Sequence, residues 1–234
     1  LAQFLHMAVQ LKKKLGYTAQ LLIEPKPEEP TTHQYDASAA IVIGFLREFN
    51  LLMHYKLNLE TNHATLAWLT MFHECMLAGE AGMLGGIDVN EGTFGNGWDT
   101  DRFLGDPMVA FKMLKYGGLG TGVFNFDAHR MRGSFAPIDH IHGHILGMDT
   151  MAWGLRTAAV VMEDGRLDGM VLARYDSWRS DVGRMIEVGK PDLKAIARIG
   201  YETPFGVTAT QSAHHEAIRS VVLRAAMQAI RAAA

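Results

Sequence analysis

Cysteine is almost absent from this sequence, because Cys75 is the only one in 234 residues. An internal disulfide is therefore excluded, and we expect a protein of a reducing, cytoplasmic compartment. Long hydrophobic runs are also absent, since no stretch approaches the roughly 20 apolar residues of a membrane helix. The first residues lack the basic and apolar regions of a signal peptide. We therefore expect no membrane partner.

An excess of either charge is lacking as well. The chain has 22 basic and 25 acidic residues, a net charge of -3 and a calculated pI near 6.4. Nucleic acids and anionic membranes attract strongly basic surfaces, so we expect neither as a partner. What the chain does contain is 48% hydrophobic and 20% charged residues, which is typical of a globular protein with a large core.

Strand and helix patterns alternate along the first two thirds of the chain. Short apolar runs predict strands, and apolar residues at helical spacing predict helices. The predicted strands cover residues 20–23, 55–59, 83–87 and 122–126, and the predicted helices cover residues 1–15, 35–49, 64–80, 106–116 and 138–163. Strands that are apolar throughout are typical of parallel sheets with both faces buried. The pattern therefore predicts an α/β fold of four strand–helix units.

Four such units make about half of a (β/α)₈ TIM barrel, which takes roughly 250 residues. We assign residues 1–163 to this half-barrel. Residues 164–234 have a weaker pattern and end in an Ala-rich segment, which predicts a helical or irregular extension that serves as an oligomer arm. Leu1 already lies in a helical pattern and no initiator methionine precedes it, so we expect further sequence upstream.

Acidic residues and one histidine stand at or just after the predicted strands. Right-handed crossovers place the carboxyl ends of all four strands on one side, where barrels carry their active sites. The groups at these positions are Glu24, Glu60, His63, Asp88, Asp99, Asp101 and Asp127. So many carboxylates would repel one another, and a divalent cation would remove that repulsion. Oxygen ligands with one imidazole favour Mg²⁺ or Mn²⁺, and two ions sharing one carboxylate would use all seven groups.

Helix capping is the simpler interpretation of any single acidic residue in this set, because an Asp at a strand end often caps the helix that follows. Capping is a weaker explanation of all seven groups together. Lys26 stands two residues after Glu24 and would point toward the same place. A lysine in a loop is more often only solvated, so both interpretations of Lys26 stay open.

The strand ends lie in sequence strings that resemble the xylose isomerase family, in its longer-chain branch. The strings are IEPKP at 23–27, EPT at 29–31, HQYD at 33–36, NLE at 58–60, NHATLA at 62–67, GWDTD at 97–101, NFDA at 125–128 and GMD at 147–149. The similarity covers roughly residues 1–195, and the sequence after about residue 200 is unlike the family's usual tail.

The resemblance implies a metal-dependent aldose–ketose isomerase that converts D-xylose to D-xylulose by a hydride shift. It also implies a TIM barrel, usually in a tetramer, of which this chain holds about the last four βα units. Two divalent cations, Mg²⁺ or Mn²⁺ with Co²⁺ as an option, would be held by Glu24, Glu60, Asp88 and Asp127 and by Glu60, His63, Asp99 and Asp101. Lys26 would hydrogen-bond the aldose near its carbonyl end. Asp101, with a bound water, would handle a hydroxyl proton.

The sequence departs from the family pattern at several positions. The family's ring-opening His, its Asp partner and the tryptophans of the sugar pocket belong to the first half of the barrel, upstream of Leu1. His129 and Met131 replace a Lys and an Arg, and Trp68 and Leu69 stand where the family has Gly or Phe and His. Activity of this chain would then require pairing with itself or with an N-terminal half.

Two further hypotheses follow from these departures. One is a catalytically silent, metal-binding half-barrel that lacks the ring-opening His and acts as a truncated product or structural partner. The other is a related barrel that acts on another sugar or on a phosphodiester. The loop from Glu24 to Lys26 and the pair Asp99 and Asp101 argue against a nuclease.

Overall fold

A computed structural model of the chain describes residues 1–90, 106–127, 135–189, 192–204 and 213–232. Its first part runs α1 (Ala2–Lys14), β1 (Leu21–Ile23), α2 (Ala39–Glu48), β2 (Tyr55–Glu60), α3 (Thr61–Leu66), α4 (Met71–Glu80), β3 (Leu84–Val89), α5 (Pro107–Lys115) and β4 (Phe124–Phe126). Its second part runs α6 (Pro137–Asp164), α7 (Arg166–Arg174), a 3₁₀ turn (Asp176–Arg179), α8 (Asp181–Glu187), α9 (Leu193–Glu202) and α10 (His214–Arg231). None of the described helices has the length and hydropathy that crossing a membrane requires.

The four strands form one parallel sheet in the order β1-β2-β3-β4. This confirms the predicted α/β class with alternating strands and helices. The order follows the chain without reversal, so successive right-handed crossovers all move in one direction and leave their helices on one face. Glu60 of β2 is in register with Asp88 of β3, which in turn is in register with Asn125 of β4.

The two faces of the sheet differ in character because side chains alternate along each strand. In β2, Leu57 and Leu59 are almost fully buried and pack in a core with residues of α2, α4 and α5. Lys56 and Asn58 point the other way, into an open groove of about 670 Å³ that also borders β1, β3 and β4. The helices therefore cover the apolar face, and the face that carries Asn58 stays open among the described residues.

The predicted helix 64–80 is wrong, because the chain forms two helices there. The segment between α3 and α4 contains Trp68 at φ 60°. This left-handed backbone conformation ends a helix, and residues other than glycine rarely adopt it. A new helix begins after Thr70, whose side chain accepts a hydrogen bond of 3.2 Å from the His73 N–H. The apolar spacing of the two helices is continuous, so periodicity alone gave no sign of the break.

Smaller differences occur at other element ends. The helix predicted from residue 35 begins only at Ala39, after a loop that follows β1. The strand predicted to stop at Ile87 continues to Val89, so Asp88 lies inside β3 rather than after it. The strand predicted from Gly122 begins only at Phe124.

The last helix, α10, packs on the middle of the chain through small side chains. Val221 and Ala225 of α10 are buried in a second apolar cluster with Ala158 and Val161 of α6. Alanines at helical spacing let two helices approach closely, which explains the Ala-rich composition of this segment. The boundary at residues 163 and 164, and the role of the last segment as an oligomer arm, stay predictions.

Candidate metal centre

The carboxyl end of the sheet holds most of the residues singled out from the sequence. Glu24 directly follows β1, Glu60 ends β2, Asp88 is next to last in β3, and Asp127 directly follows β4. His63 lies in α3, which starts at the end of β2. Asp99 and Asp101 lie outside the described residues. The fold thus brings five of the seven side chains to one edge, as the chain order of parallel strands requires.

Among the described residues, two groups of three side chains at this edge could each hold a metal ion. Glu24, Glu60 and His63 form one group, and Glu60, Asp88 and Asp127 form the other, with candidate ligand atoms within 4.8 Å of one another in each. Glu60 belongs to both groups. His63 links two of the carboxylates, since its Nε2 is 3.1 Å from Oε2 of Glu60 and its Nδ1 is 3.3 Å from Oε1 of Glu24.

Two asparagine amides hold the carboxylates of neighbouring strands. The Asn58 amide donates to Oδ2 of Asp88 at 2.9 Å and to Oε2 of Glu24 at 3.2 Å, and Asn125 donates to Oδ1 of Asp88 at 2.8 Å. Gly86 makes room for this arrangement, because a Cβ there would lie 2.4 Å from Oδ1 of Asn58. Hydrogen bonds of this kind orient carboxylates before an ion arrives.

A third amide, that of Asn90, connects the end of β3 to the start of α3. Its nitrogen donates to Oε1 of Glu60 at 2.7 Å, and its oxygen accepts the backbone N–H of Asn62 at 2.9 Å. Sequence reasoning gave no role to these asparagines. A signal was present for Asn58, which precedes Glu60 by two residues and therefore lies on the same face of β2. Asn90 follows Asp88 by two residues, just after β3 ends.

The capping interpretation does not account for Glu60. Glu60 occupies the N-cap position of α3, yet its side chain makes no capping hydrogen bond. Its carboxyl group turns instead to Asn90 and His63. The position is that of a cap, and the contacts are those of a polar site.

Burial shifts the pKa values of the two central groups in opposite directions. The pKa of Glu60 rises to about 8, mainly because the carboxyl group is buried and also because the charges of Asp127 and Glu24 oppose a third negative charge; the Asn90 amide offsets part of this rise. The pKa of His63 falls to about 4, mainly through burial and secondly through the Lys26 ammonium group. Burial thus favours the uncharged form of both groups.

The described residues fit a divalent cation in two respects. Their donor set consists of carboxylate oxygens and one imidazole, the ligands that suit Mg²⁺ and Mn²⁺. The buried Nδ1 of His63 faces Oε1 of Glu24 at 3.3 Å without the geometry of a hydrogen bond within the described part of the chain, although a buried polar atom normally makes one. A cation would bind the imidazole nitrogen and offset the repulsion among the carboxylates, which adds to the effect of burial on the pKa of Glu60.

Lys26 lies in the loop after β1, close enough to the centre for its charge to lower the pKa of His63. Its Nζ is 3.5 Å from Oε2 of Glu29. Its backbone is fixed on both sides: the N–H donates to the Asp36 carbonyl at 2.9 Å, and the carbonyl accepts from the Gln34 side chain at 2.9 Å. A contact between Lys26 and a substrate stays a prediction.

Curated proteins that are similar to this chain carry the name xylose isomerase. The protein from Rhodopirellula baltica is 47% identical over 226 residues, which is 95% of this chain and 51% of that protein. The protein from Arabidopsis thaliana is 46% identical over 231 residues, 97% of this chain and 48% of its own length. The protein from Bacillus velezensis is 48% identical over 200 residues, 84% of this chain and 45% of its own length.

Other comparisons add less. No family model matches the chain. The solved structure of an L-ribulose 3-epimerase is similar with a TM-score of 0.48 and 17% identity, over 74% of this chain and 57% of that one, which is too distant to support a conclusion. The chain spans about half the length of the curated relatives it matches.

Proposed function

The chain belongs to the xylose isomerase family, of whose curated members it spans about half the length, and we propose that it carries the metal-binding half of an aldose–ketose isomerase. The proposed reaction converts D-xylose to D-xylulose by moving a hydride between C2 and C1. The observation that carries this proposal is the position of Glu60, the carboxylate that the two candidate metal groups of the described residues share.

The proposed architecture is about the last four βα units of a (β/α)₈ barrel. Sequential parallel strands with their helices on one face support it, because repetition of that step curves a sheet toward closure. The open polar face with Asn58 corresponds to the interior of such a barrel. Four further strands, from an N-terminal half or from a second copy, would cover it.

The proposed cofactors are two divalent cations, Mg²⁺ or Mn²⁺ with Co²⁺ as an option. The proposed ligands are Glu24, Glu60, Asp88 and Asp127 for one ion and Glu60, His63, Asp99 and Asp101 for the other, the last two from the sequence alone. When bound, such ions act as Lewis acids on the two oxygens next to the migrating hydrogen. Asn58, Asn90 and Asn125 support this assignment because their amides already orient three of the carboxylates.

The remaining chemistry falls to two side chains. Lys26 would donate a hydrogen bond to the sugar oxygen on which negative charge develops. Asp101 would accept and return the hydroxyl proton. We further propose a cytoplasmic homo-oligomer, a tetramer as the family implies, for which the single cysteine and the helices after residue 164 are the supporting features.

The open face of the sheet favours a second candidate, a metal-binding but catalytically silent half-barrel. One experiment separates the two: Mn²⁺ titration and xylose-to-xylulose conversion by the purified 234-residue chain, with a chelator control. Glu60→Gln is the test variant, and Glu163→Gln, an exposed position on α6, is the matched control.

Conversion that both chelator and Glu60→Gln abolish would support the isomerase. Mn²⁺ binding without conversion, again lost in Glu60→Gln, would support the silent half-barrel. A chain that neither binds Mn²⁺ nor converts xylose would contradict both candidates. Glu163→Gln should match the wild-type chain throughout.

A further inference from the structure

A buried carboxylate outside both metal groups stands at the start of α4. The side chain of Glu74 is almost fully buried, and its Oε2 accepts the backbone N–H of Ala39 at 2.6 Å. Its Oε1 is 3.2 Å from Nδ1 of His73. A buried carboxylate is costly unless it is well hydrogen-bonded, and an apolar side chain would pack here without that cost. The position therefore calls for a specific role.

The hydrogen bond to Ala39 replaces a missing helix cap. The first N–H groups of a helix have no partner within it, and a side chain at the N-cap normally accepts one of them. Ser38 is the N-cap of α2, but its hydroxyl makes no such bond. Glu74, on a different helix and 35 residues further along the chain, supplies the acceptor.

The helix start that Glu74 fixes is also the end of the loop that carries Lys26. This loop folds back on itself: Lys26 is held by Asp36 and Gln34, and the Gln34 N–H donates to the Pro27 carbonyl at 3.0 Å. Asp36 stands only three residues before Ala39. A change at Ala39 would therefore reach Lys26 through Asp36.

Glu74 also lies directly behind the metal centre. One narrow cavity is lined by Glu74, Glu60 and His63 together with Pro25 and Ala37 of the loop. The same carboxylate thus borders the loop and the two central groups without being close enough to join either metal group.

We propose that Glu74 is a positioning residue that anchors the loop of residues 25–38 and so sets the place of Lys26 beside the metal centre. The role of Lys26 in this inference rests on the proposed function, but the anchoring of the loop can be tested in the metal-free chain. Glu74→Leu removes the acceptor, whereas Glu74→Gln keeps an oxygen of the same reach. Glu163→Gln serves as the control for charge removal elsewhere.

The first measurement is hydrogen–deuterium exchange of the full metal-free chain, compared between residues 25–38 and residues 214–231. In Glu74→Leu we expect exchange in residues 25–38 to be about fivefold faster, because one helix cap is lost. Exchange in residues 214–231 should be unchanged. Glu74→Gln and Glu163→Gln should stay within about twofold of the wild-type rates. Equal acceleration of both segments, no acceleration, or a Gln variant that behaves like Leu would overturn the inference.

The second measurement is the Mn²⁺ dissociation constant of the same four proteins. We expect Glu74→Leu to bind about tenfold more weakly and the two Gln variants to match the wild-type chain. A loosened loop with unchanged Mn²⁺ affinity would overturn the link to the metal centre. A wild-type chain that binds no Mn²⁺ would overturn the proposed function, while the exchange rates would still decide whether Glu74 anchors the loop.

Discussion

The side-chain amide of Asn90 donates a hydrogen bond of 2.7 Å to Oε1 of Glu60, the carboxylate that both candidate metal groups share. Glu60 ends β2 and Asn90 directly follows β3, the neighbouring strand, and Asn90 is almost fully buried. The Asn90 amide therefore helps to fix the position of the Glu60 carboxyl group, on which the proposed metal site depends.

Asn90→Ala should destabilise the metal-free chain and weaken its metal binding. The variant removes the acceptor of the Asn62 N–H and the donor to Oε1 of Glu60, so we expect a loss of about 1–3 kcal/mol in the free energy of unfolding. Mn²⁺ affinity should fall by about tenfold. Urea unfolding and Mn²⁺ titration are the measurements, with the more exposed Asn125→Ala as the control for stability. Equal losses in both variants would contradict the special role of Asn90.

Stability of the metal-free chain should fall as the pH rises above neutrality. The pKa of Glu60 is raised from 4.5 to about 8 in the folded chain, so its stabilising contribution is complete below pH 4.5 and is lost as pH rises through 8. The lowered pKa of His63 affects the stability only at pH values below its ordinary value of 6.5. Urea unfolding with chelator between pH 6.5 and 8 should show this decline, and Glu60→Gln should flatten it. If the free energy of unfolding fell equally with pH in the wild-type chain and in Glu60→Gln, this interpretation would be ruled out.

The single thiol should be unreactive in the folded chain. Cys75 is fully buried, and burial raises its pKa to about 12. At pH 8 almost no thiolate forms, so we expect labelling by an aromatic disulfide to be about 100-fold slower than in urea. Release of one equivalent of the chromophore on unfolding is the positive control. Rapid labelling without denaturant would show that α4 opens readily.

Truncation of a core side chain in β2 should be far more costly than truncation at the surface. Leu57 is fully buried between the sheet and its helices, whereas Leu193 of α9 is 84% exposed. Leu57→Ala should lower the free energy of unfolding by about 2–5 kcal/mol. Leu193→Ala should change it by less than about 0.5 kcal/mol. Chemical denaturation followed by circular dichroism measures both, and a large effect of Leu193→Ala would indicate that α9 packs against another surface.

Trp68→Gly should stabilise the junction between α3 and α4. Trp68 has φ 60°, a conformation that glycine adopts without a steric penalty, so the change relieves about 0.5–1 kcal/mol of backbone strain. Ala67→Gly is the matched control, because Ala67 has φ -77° and gains only flexibility from the change. That control should destabilise the chain by about 0.5–1 kcal/mol. Thermal unfolding midpoints that shift in the same direction for both variants would contradict the argument.

The strand ends could be predicted from the sequence because their signals are local. A short apolar run followed by Glu24 or Asp127 shows where a strand stops, and right-handed crossovers then bring the stops together. The α/β class followed from the same repeat. The ligand roles and the number of ions are not decided by the described residues and stay proposals.

The features that sequence reasoning missed depend on distant or silent signals. The partner of Glu74 is the N–H of Ala39, 35 residues away, so no local pattern marks the carboxylate as a cap. The break between α3 and α4 falls at Trp68. A glycine at this position would have indicated the end of a helix in the sequence, whereas a tryptophan does not. Asp88 lies within β3 rather than after it, because a polar residue on the open face does not end a strand.

The pairing of β2 with β3 has a consequence for insertions and deletions. Glu60 faces Asp88 across one step of the ladder, and neighbouring strands are about 4.8 Å apart whatever the loops do. One extra residue after Leu57 would turn Glu60 toward the apolar helices and bring Leu59 to the open face. The number of residues between Leu57 and Glu60 therefore decides which face of the sheet the Glu60 carboxylate occupies.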